Sequence, residues 1–110
     1  MTDVLSRRSR NLGACFHPDV PKDKVGLIEL GPEPRLTTYG ELVSEADAVA
    51  RALLAHGLRR GDRVGISALN SRELLSAYFG IMRAGLVAVP YSYKLSPEVT
   101  AHIASDAALK

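Results

Sequence analysis

Between residues 39 and 56 the apolar positions Leu42, Val43, Ala46, Val49, Ala50, Leu53 and Leu54 recur at spacings of three and four, one face of a helix. Thr38 and Glu41 stand at capping-box spacing: the hydroxyl accepts an amide hydrogen bond and the carboxylate returns one. Gly57 follows the last periodic residue and can take the left-handed conformation that ends a helix. The pattern therefore predicts a helix over 39–56. Ahead of it, Val25-Gly26-Leu27-Ile28-Glu29-Leu30 reads as a strand. Gly31-Pro32-Glu33-Pro34 turns the chain, and Arg35 to Thr38 returns as the hairpin partner.

Beyond the helix the pattern switches between periods of two and of three to four. Val64, Ile66 and Ala68 alternate in a strand over 63–68. Asn70 and Glu73 repeat the capping-box spacing, and a helix carrying Leu74, Leu75, Tyr78, Phe79 and Met82 follows, closed by Gly85. Val87-Ala88-Val89 is a strand ended by Pro90, which has no amide to give a ladder. Ser96 as cap and Pro97 at the first helical position open a third helix with Val99, Ile103 and Ala107. Strand, helix, strand, helix from residue 63 predicts a parallel α/β arrangement with a right-handed crossover. A further strand is expected after residue 108, so the pattern reads as cut off at Lys110, incomplete at its C-terminal edge. Residues 1–24 hold turn signals and little periodicity, with at most a short helix within 3–12. They form an irregular N-terminal segment ahead of a structured portion, 25–110.

Composition narrows the function classes. The 110 residues are 46% hydrophobic and 24% charged, ordinary for a globular domain, and enough for one small domain or part of a larger one. A net charge of +2, from 14 basic and 12 acidic residues, is too balanced to point to nucleic acid or a membrane surface. No apolar run reaches the length of a bilayer span, and the N-terminus lacks a signal-peptide core. The single cysteine, Cys15, can make no internal disulfide, which suits a reducing compartment, the cytoplasm. His17 lies two residues from it, but Pro18 follows and no base stands at a fixed spacing, so a catalytic cysteine is disfavoured.

Residue types rule several chemistries down. There is no Gly-x-Gly-x-x-Gly, and no Gly-rich stretch runs into Lys-Ser or Lys-Thr. Gly61-Asp62-Arg63-Val64-Gly65 sits before a strand and reads as a turn, with Gly65 admitting a close neighbour. His17, His56 and His102 are far apart, so no metal set converges, and His56 falls in the last helical turn, where positive charge suits the dipole. The carboxylates are scattered, with no pair placed for acid–base work. Spacing alone gives an α/β fragment with no visible active site, and no catalytic, cofactor-binding or metal residue is assigned.

The order of several short motifs is more informative. Leu36-Thr37-Thr38-Tyr39-Gly40-Glu41-Leu42 resembles the "LTYxEL" that leads into the first long helix of the adenylate-forming superfamily of acyl–CoA synthetases, luciferases and peptide-synthetase adenylation domains. Gly57 through Gly61-Asp62-Arg63-Val64 is similar to its "G…GDRV". Asn70 and Glu73 resemble its "N…E", Ala84-Gly85-Leu86-Val87-Ala88-Val89-Pro90 its "AGAVxVP", and Ser96-Pro97-Glu98 with Asp106 its "xPEE…DS". The likeness runs from about residue 11 to residue 110. Leu86 stands where Ala is usual, Ala107 where Ser is usual, and Thr37-Thr38 adds a residue. The run after Val89-Pro90 lacks the "YVPLDP" of peptide-synthetase domains, which favours a free-standing acyl–CoA ligase.

The resemblance implies the N-terminal part of a large AMP-binding domain: a small β-hairpin followed by parallel βαβα units. For the full-length parent it implies ATP, Mg²⁺ and coenzyme A, and a small carboxylic acid as substrate. The acid would be joined to AMP with loss of pyrophosphate and then passed to the CoA thiol. The family's phosphate loop, nucleotide contacts and lid lysine all lie beyond the matched region. The 110 residues alone are therefore expected to bind none of these ligands, to be catalytically inactive and to self-associate. Fatty, aryl and short branched acids all remain open as substrates. The alternative is a stand-alone small α/β interaction module without enzymatic activity.

Overall fold

In the computed structural model, residues 11–14 and 19–110 are described. The short helix considered within 3–12 falls outside them except for its last two positions, of which Leu12 opens a 3-10 turn, Leu12–Ala14. Cys15 and His17 also lie outside. The regular elements are β1 (Val25–Glu29), β2 (Arg35–Thr38), α1 (Tyr39–Ala55), β3 (Arg63–Ile66), α2 (Arg72–Arg83), β4 (Val87–Pro90) and α3 (Pro97–Asp106). Each strand and helix expected from residue 25 onward is present. Strand β3 ends two residues earlier than its alternating pattern.

Strands β1 and β2 form the antiparallel hairpin, with a register shift between Val25 and Leu27. Gly26 is the residue at that irregularity: a Cβ there would stand 2.9 Å from the Tyr39 ring, so only glycine lets the first residue of α1 pack against the strand. Thr38 caps α1 with both halves of the capping box in place. Gly57, at φ 89°, ends that helix in the left-handed region. The predicted apolar face is only partly enclosed. Leu42, Ala46 and Ala50 are buried, whereas Leu54 is 48% exposed.

Helix α2 corrects two expectations. Its cap is Ser71, whose hydroxyl accepts from Leu74 N at 3.1 Å, in place of Asn70. Its buried positions are Ser76, Gly80 and Ile81, while Leu74, Leu75, Tyr78, Phe79 and Met82 are half-buried. The reason is the close approach of the two helices. A Cβ on Gly80 would fall 2.6 Å from Val49 Cβ and 2.9 Å from Ala46 O, so the contact runs along small residues and the longer side chains flank it. Ile81 turns to the other side and joins Ile66 of β3 and Leu86 in the core cluster.

Strands β3 and β4 pair in parallel, from Arg63 with Val87 to Ile66 with Pro90. Leu109 makes a parallel bridge to Arg63, and Lys110 N donates to Arg63 O at 2.8 Å. A third strand thus begins on the opposite edge of β3, leaving β3 between its two neighbours. Gly65 makes room for it, since a Cβ there would meet Leu109 Cδ1 at 2.7 Å. Helix α3 is capped by Ser96 with Pro97 at its start, and it buries no residue.

Candidate functional site

A concave feature lies between the hairpin and α2. Leu27, Ile28, Leu30, Leu74, Leu75 and Tyr78 line an apolar groove of about 530 Å³, with Asn70 and Ser71 at one end. Ser71's hydroxyl is engaged in capping α2, so the groove has few polar groups free to orient a ligand. Leu30, at 90% exposure, stands on its rim.

Along the same seam the fold gathers carboxylates that are scattered in sequence. Arg35 pairs with Glu29 on the neighbouring strand and donates through Nη2 to both oxygens of Glu73, at 2.9 and 3.0 Å. Arg72 contacts Glu41 at 3.2 Å and Glu45 more closely, and its backbone amide donates to Glu29 Oε2 at 3.2 Å. Ser76 Oγ donates to Glu45 at 2.7 Å. Two arginines therefore tie the hairpin, α1 and α2 together. Sequence spacing missed the cluster because its members are brought together only by tertiary packing. The i, i+4 pair Glu41 and Glu45 was the one local signal, since it puts two carboxylates on one helical face.

These carboxylates are held charged. The Arg72 guanidinium, bonding to Glu45, keeps its carboxyl below the ordinary value, and Arg35 does the same for Glu73. For Glu41 the Thr38 amide is the leading cause. Both arginines are correspondingly raised, Arg35 chiefly by its bond to Glu29. A carboxylate lowered in this way is a poor proton donor near neutrality. With its oxygens already taken by guanidinium, it is also a poor metal ligand. Among the described residues no group of three or more His, Cys, Asp or Glu could hold a metal ion, and no helix is long and apolar enough to cross a membrane. The donors of this seam are already engaged with one another and do not offer a fit to Mg²⁺ or phosphate. The seam is a clamp.

The fold matches known proteins. The model of the family described as AMP-binding enzyme matches residues 17–110. The chain belongs to that family. Among curated relatives, the chain is 37% identical over 76 residues to the 3-hydroxybenzoate–CoA ligase of Aromatoleum sp. (strain CIB), covering 69% of this chain and 14% of that protein. It is 34% identical over 115 residues to the coprinoferrin synthetase of Coprinopsis cinerea, covering 99% of this chain and 4% of that one. Among solved structures, the fatty acid AMP ligase from Legionella pneumophila superposes with a TM-score of 0.72 at 28% identity, covering 78% of this chain and 16% of that chain. The α/β hairpin-plus-parallel architecture is thus that of part of an adenylate-forming enzyme domain, and the chain spans a small fraction of the relatives it matches.

Proposed function

We propose that these residues are the N-terminal portion of an ATP-dependent carboxylic acid–CoA ligase, with 25–110 forming the start of its AMP-binding domain. The observation that carries this reading is the family match over 17–110, alongside relatives named as acid–CoA ligases. In the reaction a carboxylate oxygen attacks the α-phosphorus of ATP and pyrophosphate leaves. The CoA sulfur then attacks the acyl carbon and AMP leaves. Both steps need donors placed around developing phosphate and oxyanion charge. At the seam the gathered carboxylates and arginines are paired with one another, which speaks against that seam supplying them. The role of this portion is architectural: it supplies a capped, clamped pair of helices and the first strands of a sheet. ATP, Mg²⁺, CoA and the acid are bound by other parts of the parent, in the cytoplasm. The lack of "YVPLDP" after Pro90 supports a free-standing ligase, while the likeness to coprinoferrin synthetase keeps a synthetase module in view.

Pyrophosphate release with ATP, Mg²⁺ and a panel of aryl, fatty and short branched acids tests the proposal. The 110-residue chain should give no acid-dependent release. A longer protein carrying it should give release with at least one acid class, followed by CoA-dependent AMP formation. Turnover by the chain alone would overturn the architectural role, and a longer protein inert to every class would overturn the ligase.

A further inference from the structure

We propose that the outer edge of β1, with the groove beside it, is a self-complementary surface on which a second copy of this chain docks about a two-fold axis. Four consecutive residues, Leu27 to Leu30, line the groove of about 530 Å³, and among the described residues none from β2 does. The strand itself therefore forms one wall, on the side turned away from its hairpin partner. Leu74, Leu75 and Tyr78 of α2 form the other. Among the described residues β1 pairs only with β2, so the backbone donors and acceptors of that edge meet the groove without a ladder.

The apolar groups around this edge stand out from the fold. Ile28 faces Leu36 across the hairpin, and both are more than half exposed. Leu30 protrudes furthest, on the rim of the groove. Such groups gain burial on docking, which is the driving term for association. What points to a second copy is that the protruding side chain and the hollow that can receive it lie on one strip of one chain. A two-fold axis normal to the hairpin puts Leu30 of each copy toward the groove of the other and sets the two β1 edges antiparallel. An antiparallel edge is complementary to itself, because its donors and acceptors alternate along the strand. The flanking charges permit the approach: Arg35 is paired with Glu29 and Glu73, and Arg72 with Glu41 and Glu45, so the seam interleaves both signs instead of presenting one. The surface uses only these residues and does not depend on the ligase reading.

Sedimentation equilibrium of the 110-residue chain over a concentration series tests the surface. The native chain should show a monomer–dimer equilibrium with no larger species. Leu30→Lys, at a position exposed enough to leave the fold intact, should weaken dimerisation at least about tenfold, the effect of removing an interface anchor. Val99→Lys on α3 should change it by less than about twofold. If Leu30→Lys loses the native circular dichroism, Ile28→Thr, which keeps a strand-forming residue, takes its place with the same expectation. A native chain that stays monomeric at every concentration would overturn the surface. So would a folded Leu30→Lys chain that associates as the native one does, an equal loss in Val99→Lys, or an assembly that grows past two copies.

Discussion

Helices α1 and α3 each have a side-chain hydroxyl at the N-cap and an apolar face, yet α1 buries Leu42, Ala46 and Ala50 whereas α3 buries nothing. Local chemistry is equally sound in both: Thr38 accepts from Glu41 N, and Ser96 accepts from Val99 N. What differs is the partner. Across from α1 stands α2, which offers Gly80 for close approach and Arg72 and Arg83 as bridges to Glu45 and Asp47. Among the described residues α3 has no such face across from it, and Val99 remains 44% exposed. Caps and periodicity make a helix; a complementary neighbour makes it part of a core.

Substitution on the two helices should break the comparison most strongly. Leu42 is only 2% exposed, so Leu42→Ala should cost about 2–5 kcal/mol through lost transfer energy and the cavity left behind. Leu53 is half-buried and should cost less. Val99→Ala on α3 should shift stability by no more than about 0.5 kcal/mol. Urea midpoints of the variants check this. Equal losses at Leu42 and Val99 would mean that the two helices are enclosed alike.

Acid should then weaken the clamped half selectively. Glu41, Glu45 and Glu73 have folded-state values below the ordinary 4.5. Their contribution is thus fully present above about pH 4.5 and is lost as pH falls through the lowered values. The stability gap between the native chain and Arg72→Gln should therefore narrow below that pH. A gap that stays constant down to pH 3 would show that the ion pairs contribute nothing. The pairs are largely exposed, so salt should shrink the same gap.

Much of this was legible in the sequence. The hairpin, the three helices, the capping box at Thr38 and the parallel order of β3 and β4 all follow from periodicity and turn chemistry, which act within a few residues. The start of a further strand at Leu109 was expected, and its bridge to Arg63 shows on which edge of β3 it lies. What sequence hid is set by neighbours distant along the chain. Burial on α2 follows Ser76 and Gly80 instead of the larger Leu75 and Phe79, because the spacing between α1 and α2 admits only small groups. The cap moved from Asn70 to Ser71, since both residue types suit the position and only the trajectory of the chain decides between them. The carboxylates of the seam look scattered because Arg35 reaches Glu73, 38 positions on. Thr37 carries a buried hydroxyl without a partner among the described residues, which no local pattern announces.

The contrast between an enclosed α1 and an α3 that buries no residue underlies the central proposal, that these residues are a portion of a larger AMP-binding domain whose remainder would cover the face of α3 and the edges of the sheet. Uncovered apolar faces and open strand edges promote association. Light scattering of the 110-residue chain beside a longer protein carrying it, at matched concentrations, tests that claim most directly. The account predicts concentration-dependent association or marginal stability for the chain and a soluble, well-defined species for the longer protein. A monodisperse 110-residue monomer that unfolds cooperatively would contradict it and favour a stand-alone α/β module.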